Sequence, residues 1–252
     1  NKTIVEKIIN KLFFEIMYTL VAFKKLKFKH NDLHLGNILI IHQEKNIYDD
    51  TLKGSNKNLL REYEFEYNGE KVNVLLPNTG VTARIFDFDR SCLISKKGNL
   101  RADNLLNKYG VYFQDCNDNF YKDTYKFILK FYDSIRSSKM LATVEVKKVF
   151  NSIMEFIESC FYQPSLLNKG TVTDEDGTEI IIDPGRMPGR TRKIPPKPDY
   201  IIGRPGYVSG PIDKYMKSPE EILFELSEKF PHKIDDDFVT GSNNLQDMIL
   251  DK

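Results

Sequence analysis

Apolar residues recur at steps of three and four through the first 27 positions. Ile4, Ile8, Leu12, Ile16, Leu20 and Phe23 form one row, and Ile9, Phe13 and Met17 widen it. That spacing predicts an amphipathic helix over 3–27, opened by a capping box of Thr3 and Glu6. A polar turn follows at 29–36, and the apolar run Ile38–Ile41 is short enough for a strand. Residues 42–58 are polar and loop-like. Glu62-Tyr63-Glu64-Phe65-Glu66-Tyr67 alternates with the period of a strand, Asn68-Gly69 is a two-residue hairpin turn, and Lys71–Leu76 is the returning partner. Val81–Phe86 predicts a further strand ending at Asp87. Helical spacing returns over 118–136 (Tyr121, Tyr125, Ile128, Leu129, Tyr132) and 143–162 (Val146, Val149, Phe150, Ile153, Phe156, Ile157).

The pattern changes at Pro164. Eight of the 11 prolines and seven of the 14 glycines lie within 164–211, a density incompatible with a packed helix or central strand. An extended loop or arm is expected there. Ser218-Pro219-Glu220-Glu221 then opens a short helix to about Lys229, with Ser as N-cap and Pro at the first helical position. Residues 235–252 are polar and read as a frayed tail.

Composition narrows the class. Of 252 residues, 40% are apolar, with 17 Phe and 13 Tyr, so the chain can bury a sizeable core and is not disordered throughout. One large domain, or one domain with an appendage, is expected. Thirty-seven basic and 36 acidic residues leave a net charge of +1, so overall charge does not argue for nucleic acid or an anionic membrane. No apolar run approaches the roughly 18 residues of a membrane span. Cys92, Cys116 and Cys160 are widely spaced and odd in number. They predict neither a disulfide scaffold nor a zinc site, and favour a reducing compartment. Arg186, Arg190, Arg192, Lys193 and Lys197 make the arm basic, but without interleaved aromatics. A solvated tether, or a segment wrapped against another protein chain, is expected rather than a nucleic-acid binder.

Two segments carry candidate chemistry. His30-Asn31-Asp32-Leu33-His34-Leu35-Gly36-Asn37 runs directly into the Ile38–Ile41 strand, and Ile85-Phe86-Asp87-Phe88-Asp89 ends another strand. Singly, each residue has a bland reading. Asp32 could be a solvated loop acid, His34 a hydrogen-bonded loop residue, and Asp123 a first-turn helix acid favoured by the dipole. The order His, Asp, Asn, strand, then a second strand ending in Asp-Phe-Asp is what a bland reading does not explain.

Together the segments resemble the catalytic loop and the metal-binding motif of the protein-kinase fold. The His-x-Asp-Leu-His-x-Gly-Asn form is similar to haspin-type atypical kinases and to the Ser/Thr protein kinases of large DNA viruses. The 45-residue insert over 42–86, Asp89 in place of Gly, the lack of a following Ala-Pro-Glu, and Asp123-Thr124-Tyr125-Lys126 agree with that narrower resemblance. It implies Asp32 as the group that receives or orients the substrate hydroxyl. His30 accompanies it in the catalytic motif, by packing and hydrogen bonding rather than as a base. Asn37 and Asp87 are the implied Mg²⁺ ligands, with His34, Gly36 and Asp123 supporting the loop. ATP and Mg²⁺ are the implied cofactors, and no nucleotide-contacting residue can be named.

The implied fold is α+β: a mainly helical kinase C-terminal lobe over 1–163 with a hairpin-bearing insert (42–86), then the arm over 164–217, then the short helix and tail over 218–252. The resemblance covers about 3–163. No G-x-G-x-x-G occurs in the chain. Val21-Ala22-Phe23-Lys24 mimics a kinase strand motif but lies in the helical pattern, so Lys24 reads as a helix-end lysine. Because the chain starts at Asn1 rather than Met, a fragment, a processed product or an incomplete record is expected, with the N-lobe supplied upstream or by another segment. The expected partners are a protein substrate, or a protein bound by the arm, with no membrane and no nucleic acid. The expected location is intracellular, in cytoplasm or nucleus, with the virion as the alternative for a viral protein. Two other readings stay open. One is a small-molecule kinase of the aminoglycoside or choline kinase type. The other is a kinase-derived interaction protein without activity, a pseudokinase.

Overall fold

The structure, a computed structural model, describes residues 2–42, 60–77, 79–89, 91–93, 120–163, 165–169, 171–173, 177, 179–181, 214–230 and 239–244. Helix α1 spans Lys2–Lys25 and is the axis of the molecule. It starts one residue before Thr3, so Thr3 lies in the first turn and not at the expected N-cap. Lys24 and Lys25 close it, where positive charge complements the helix dipole. Its apolar stripe is wide enough to bury two faces. On one, Phe13 stacks on Phe131 (5.1 Å) and leans on Phe127 (5.5 Å), both from helix α2 (Tyr121–Lys139). On the other, Phe14 meets Tyr63 (5.5 Å), Phe65 (6.4 Å) and Phe230 (5.7 Å). Helix α3 (Val144–Ser159) adds Val149, Ile153 and Ile157 to the same core.

The strands form small sheets. β1 (Phe28–Lys29) pairs antiparallel with β6 (Cys92–Leu93), and β2 (Ile38–His42) with β5 (Val81–Ile85). β3 (Leu60–Tyr67) and β4 (Glu70–Pro77) make the hairpin read from the alternation. Asn68 (φ 51°) and Gly69 (φ 81°) both take the left-handed conformation that a two-residue turn of this kind demands. Tyr63 and Phe65 are buried against α1 while Glu66 is exposed.

Three expectations change. The tail contains β9 (Val239–Asn244), parallel to β3; polar residues suffice for a strand whose backbone finds a free edge. The Pro/Gly-rich stretch begins folded, with α4 (Ser165–Lys169) burying Leu166 and Leu167, and a ladder between β7 (Thr171–Thr173) and β8 (Glu179–Ile181). Residues 182–213, with most of the expected arm and its basic residues, lie outside the described residues. Finally, Cys92 is disulfide-bonded, whereas Cys160 is free and buried. Disulfides depend on the approach of distant Cβ atoms, which sequence spacing does not reveal, and the cysteine argument for a reducing compartment falls with it.

Helix α5 (Pro219–Ser227) has the expected cap: the Ser218 hydroxyl accepts from the Glu221 amide at 3.1 Å. Ile222, Leu223 and Leu226 are fully buried in the α1 core, so the helix is no outlying appendage. Phe161 and Met216 bridge antiparallel, with Tyr162 N–H donating to Tyr215 O and Lys217 N–H to Cys160 O, each at 2.9 Å. The two ends of the stretch between them are therefore pinned side by side. The architecture is mixed α+β: helices around α1, with small sheets at its side. Among the described residues, no helix is long and apolar enough to cross a membrane.

Candidate functional site

The segment after α1 is short and heavily constrained. Lys27 (φ 53°) reverses the chain out of the helix, and β1 is held by β6 through Phe28↔Leu93 and Lys29↔Cys92. His30, Asn31 and Asp32 follow. Asn31 sits at φ 64°, a left-handed conformation that costs on the order of 1 kcal/mol or more for a side chain other than Gly. Asn tolerates this region better than most residues.

Helix α2 holds that conformation in place. The Asp123 carboxylate, in its first turn and buried, accepts through Oδ2 from His30 N–H (2.7 Å) and Asn31 N–H (3.2 Å). One turn later, Lys126 Nζ donates to Asn31 O at 3.1 Å. Both backbone polarities of the loop are thus met by charged groups from one helix face, whose spacing of three residues places them together.

His30 is fully buried. Its Nδ1 lies 3.4 Å from Asp32 N–H and its Nε2 2.9 Å from Phe86 O, which fits the tautomer protonated at Nε2. Both ring nitrogens are engaged, so His30 holds the loop in place. Its ring also packs on Phe88 (5.2 Å), which reaches Phe23 and Phe28. Asp32 is half-buried, and Leu33 fills the core beneath it.

His34 caps a 3-10 turn, Leu35–Asn37, its Nδ1 accepting from Gly36 N–H at 3.0 Å. A Cβ at Gly36 would stand 2.8 Å from the His34 ring, so only glycine permits this approach. Asn37 is buried, and its Nδ2 donates to Asp32 O at 3.0 Å. That bond fixes the amide and leaves its oxygen as the end suited to a hard cation. Phe86 N–H donates to Asn37 O at 3.1 Å, extending the β2–β5 ladder by one step. Asp87 follows immediately, exposed and at φ 63°.

His30, Asp32, Asn37 and Asp87 therefore meet at one end of a two-stranded ladder, with Asp123 behind them. Two oxygen donors on adjacent strand ends suit Mg²⁺, which takes few protein ligands and keeps waters and phosphate oxygens. Among the described residues, no group of three or more His, Cys, Asp and Glu converges as a metal cluster. The sequence had flagged Lys126 only as part of a four-residue stretch, and its bond to Asn31 O needed the helix face. No matching family model, curated protein or solved structure is found for this chain.

Proposed function

We propose that this chain carries the catalytic-loop half of an ATP-dependent phosphotransferase of the protein-kinase fold, acting on Ser/Thr hydroxyls of a protein. One observation carries the reading: a buried carboxylate, Asp123, grips the backbone just before Asp32, while the Asn37 amide grips Asp32 O and the Asp87 strand is latched to Asn37. These bonds preorganise a half-buried carboxylate and two oxygen donors on rigid elements, which is the main protein contribution to phosphoryl transfer. Asp32 would orient the attacking hydroxyl and accept its proton. Asn37 and Asp87 would hold Mg²⁺, which neutralises phosphate charge. The support is the local geometry together with the motif order.

The test is phosphate transfer by the complete natural protein to a Ser/Thr protein substrate. Asp32→Ala should abolish it with the fold intact by circular dichroism; undiminished transfer overturns the assignment. The lack of a G-x-G-x-x-G in the sequence favours a second reading, a kinase-derived interaction protein. Thermal shift separates the two. Binding to the native state stabilises by RT ln(1 + [L]/Kd), so Mg·ATP at millimolar concentration should raise Tm if nucleotide binds. An unmoved Tm supports the second.

A further inference from the structure

Among the described residues, the strand that delivers Asp87 has an edge that no other strand covers. Within that set, β5 pairs with β2 on one side and with no strand on the other. Because Phe86 N–H bonds to Asn37 O, the alternation of an antiparallel ladder turns the backbone groups of Val81 and Ala83 away from β2. Two charged side chains from α1 meet them there. Lys11 Nζ donates to Val81 O at 2.6 Å, and Glu15 Oε2 accepts from Ala83 N–H at 2.9 Å. Lys11 also donates to Glu15 Oε1 at 2.5 Å, and the Tyr63 hydroxyl donates to the same oxygen at 3.0 Å.

The fit is metrical. Residues four apart on a helix are separated by about 6 Å along its axis, and alternate residues of a strand by about 6.6 Å. A cation and an anion at that helical spacing match an outward carbonyl and the next outward amide. The pair is buried, with Lys11 2% and Glu15 6% exposed. Burial lowers the Lys11 pKa, and the Glu15 charge opposes that shift. A hydrophobic pair would satisfy the core equally well, but could not bond this edge.

We propose that Lys11 and Glu15 act as a surrogate third strand and are positioning residues for Asp87, setting where β5 ends and hence where its carboxylate stands. The metal half of this inference rests on the proposed function; the strand half does not.

The test uses the 252-residue chain with Mn²⁺ as probe. Lys11→Met with Glu15→Leu replaces the ion pair by apolar groups of similar volume, an exchange often neutral for global stability. Amide exchange at Ala83 is expected to accelerate on the order of tenfold while α3 amides are unchanged, because the opening is local. Mn²⁺ affinity, read by water proton relaxation, should weaken on the order of tenfold, as when the support of a metal ligand is removed. If that variant fails to fold, Lys11→Met with Glu15→Gln keeps an acceptor for Ala83 N–H and takes the same two measurements, with smaller changes expected. Uniform acceleration of exchange, or unmoved Mn²⁺ affinity, would make the pair merely structural and overturn the proposal. Asp87→Asn is the separating control. If it binds Mn²⁺ as the native chain does, the metal reading fails, and exchange at Ala83 alone decides the strand claim.

Discussion

Asp123 shows how much a single side chain can decide. As a sequence letter it is a first-turn helix acid that the dipole favours; in the fold it accepts two backbone amides from the loop before Asp32. Asp123→Ala would leave both amides buried without their acceptor. A loss of about 3–6 kcal/mol in urea unfolding is expected from two bonds to a charged group. Cys160 is legible in the opposite sense: its position in the sequence says nothing, but burial, reinforced by the Glu225 charge, pushes its thiol up to about 12. A thiol whose pKa is raised on folding keeps its full stabilising effect below the unfolded value. That contribution disappears as pH rises towards 12. The stability of the native chain should therefore fall more steeply above about pH 9 than that of Cys160→Ala, as measured by urea midpoints across pH.

At the scale of elements, local chemistry was legible wherever it acts within a few residues. Ser218, Pro219 and Glu221 mark the start of α5 before any packing is known, and the Ser218 hydroxyl takes the Glu221 amide. Ser218→Ala should cost about 1 kcal/mol in chemical unfolding. Asn68-Gly69 likewise announces the β3–β4 hairpin, since only residues tolerant of positive φ can make that turn. β9 was not legible. Its sequence, Val-Thr-Gly-Ser-Asn-Asn, lacks the apolar alternation of a strand, and its partner β3 lies about 180 residues upstream. The short pairs β1–β6 and β7–β8 escaped for the same reason: strands of two or three residues have too little period to read.

At the scale of the whole molecule, α1, at the start of the described chain, packs against a helix near its end. α5, at 219–227, packs on it and buries Ile222, Leu223 and Leu226, while Met216 closes the bridge to Phe161. A chain truncated after residue 213 loses these four side chains. At about 1.5–3 kcal/mol each, the loss of 6 kcal/mol or more matches the whole stability of many domains, and no cooperative thermal transition should remain. The hydrophobic spacing determined the long helices, the Ser218 cap the start of α5, and the turn residues the hairpin, because those signals act between near neighbours. Tertiary structure alone decided which edge each short strand covers, that Cys92 is disulfide-bonded, and that Lys11 and Glu15 bond the side of the Asp87 strand turned away from β2. These depend on which distant groups approach within bonding distance, and a linear pattern carries no record of that.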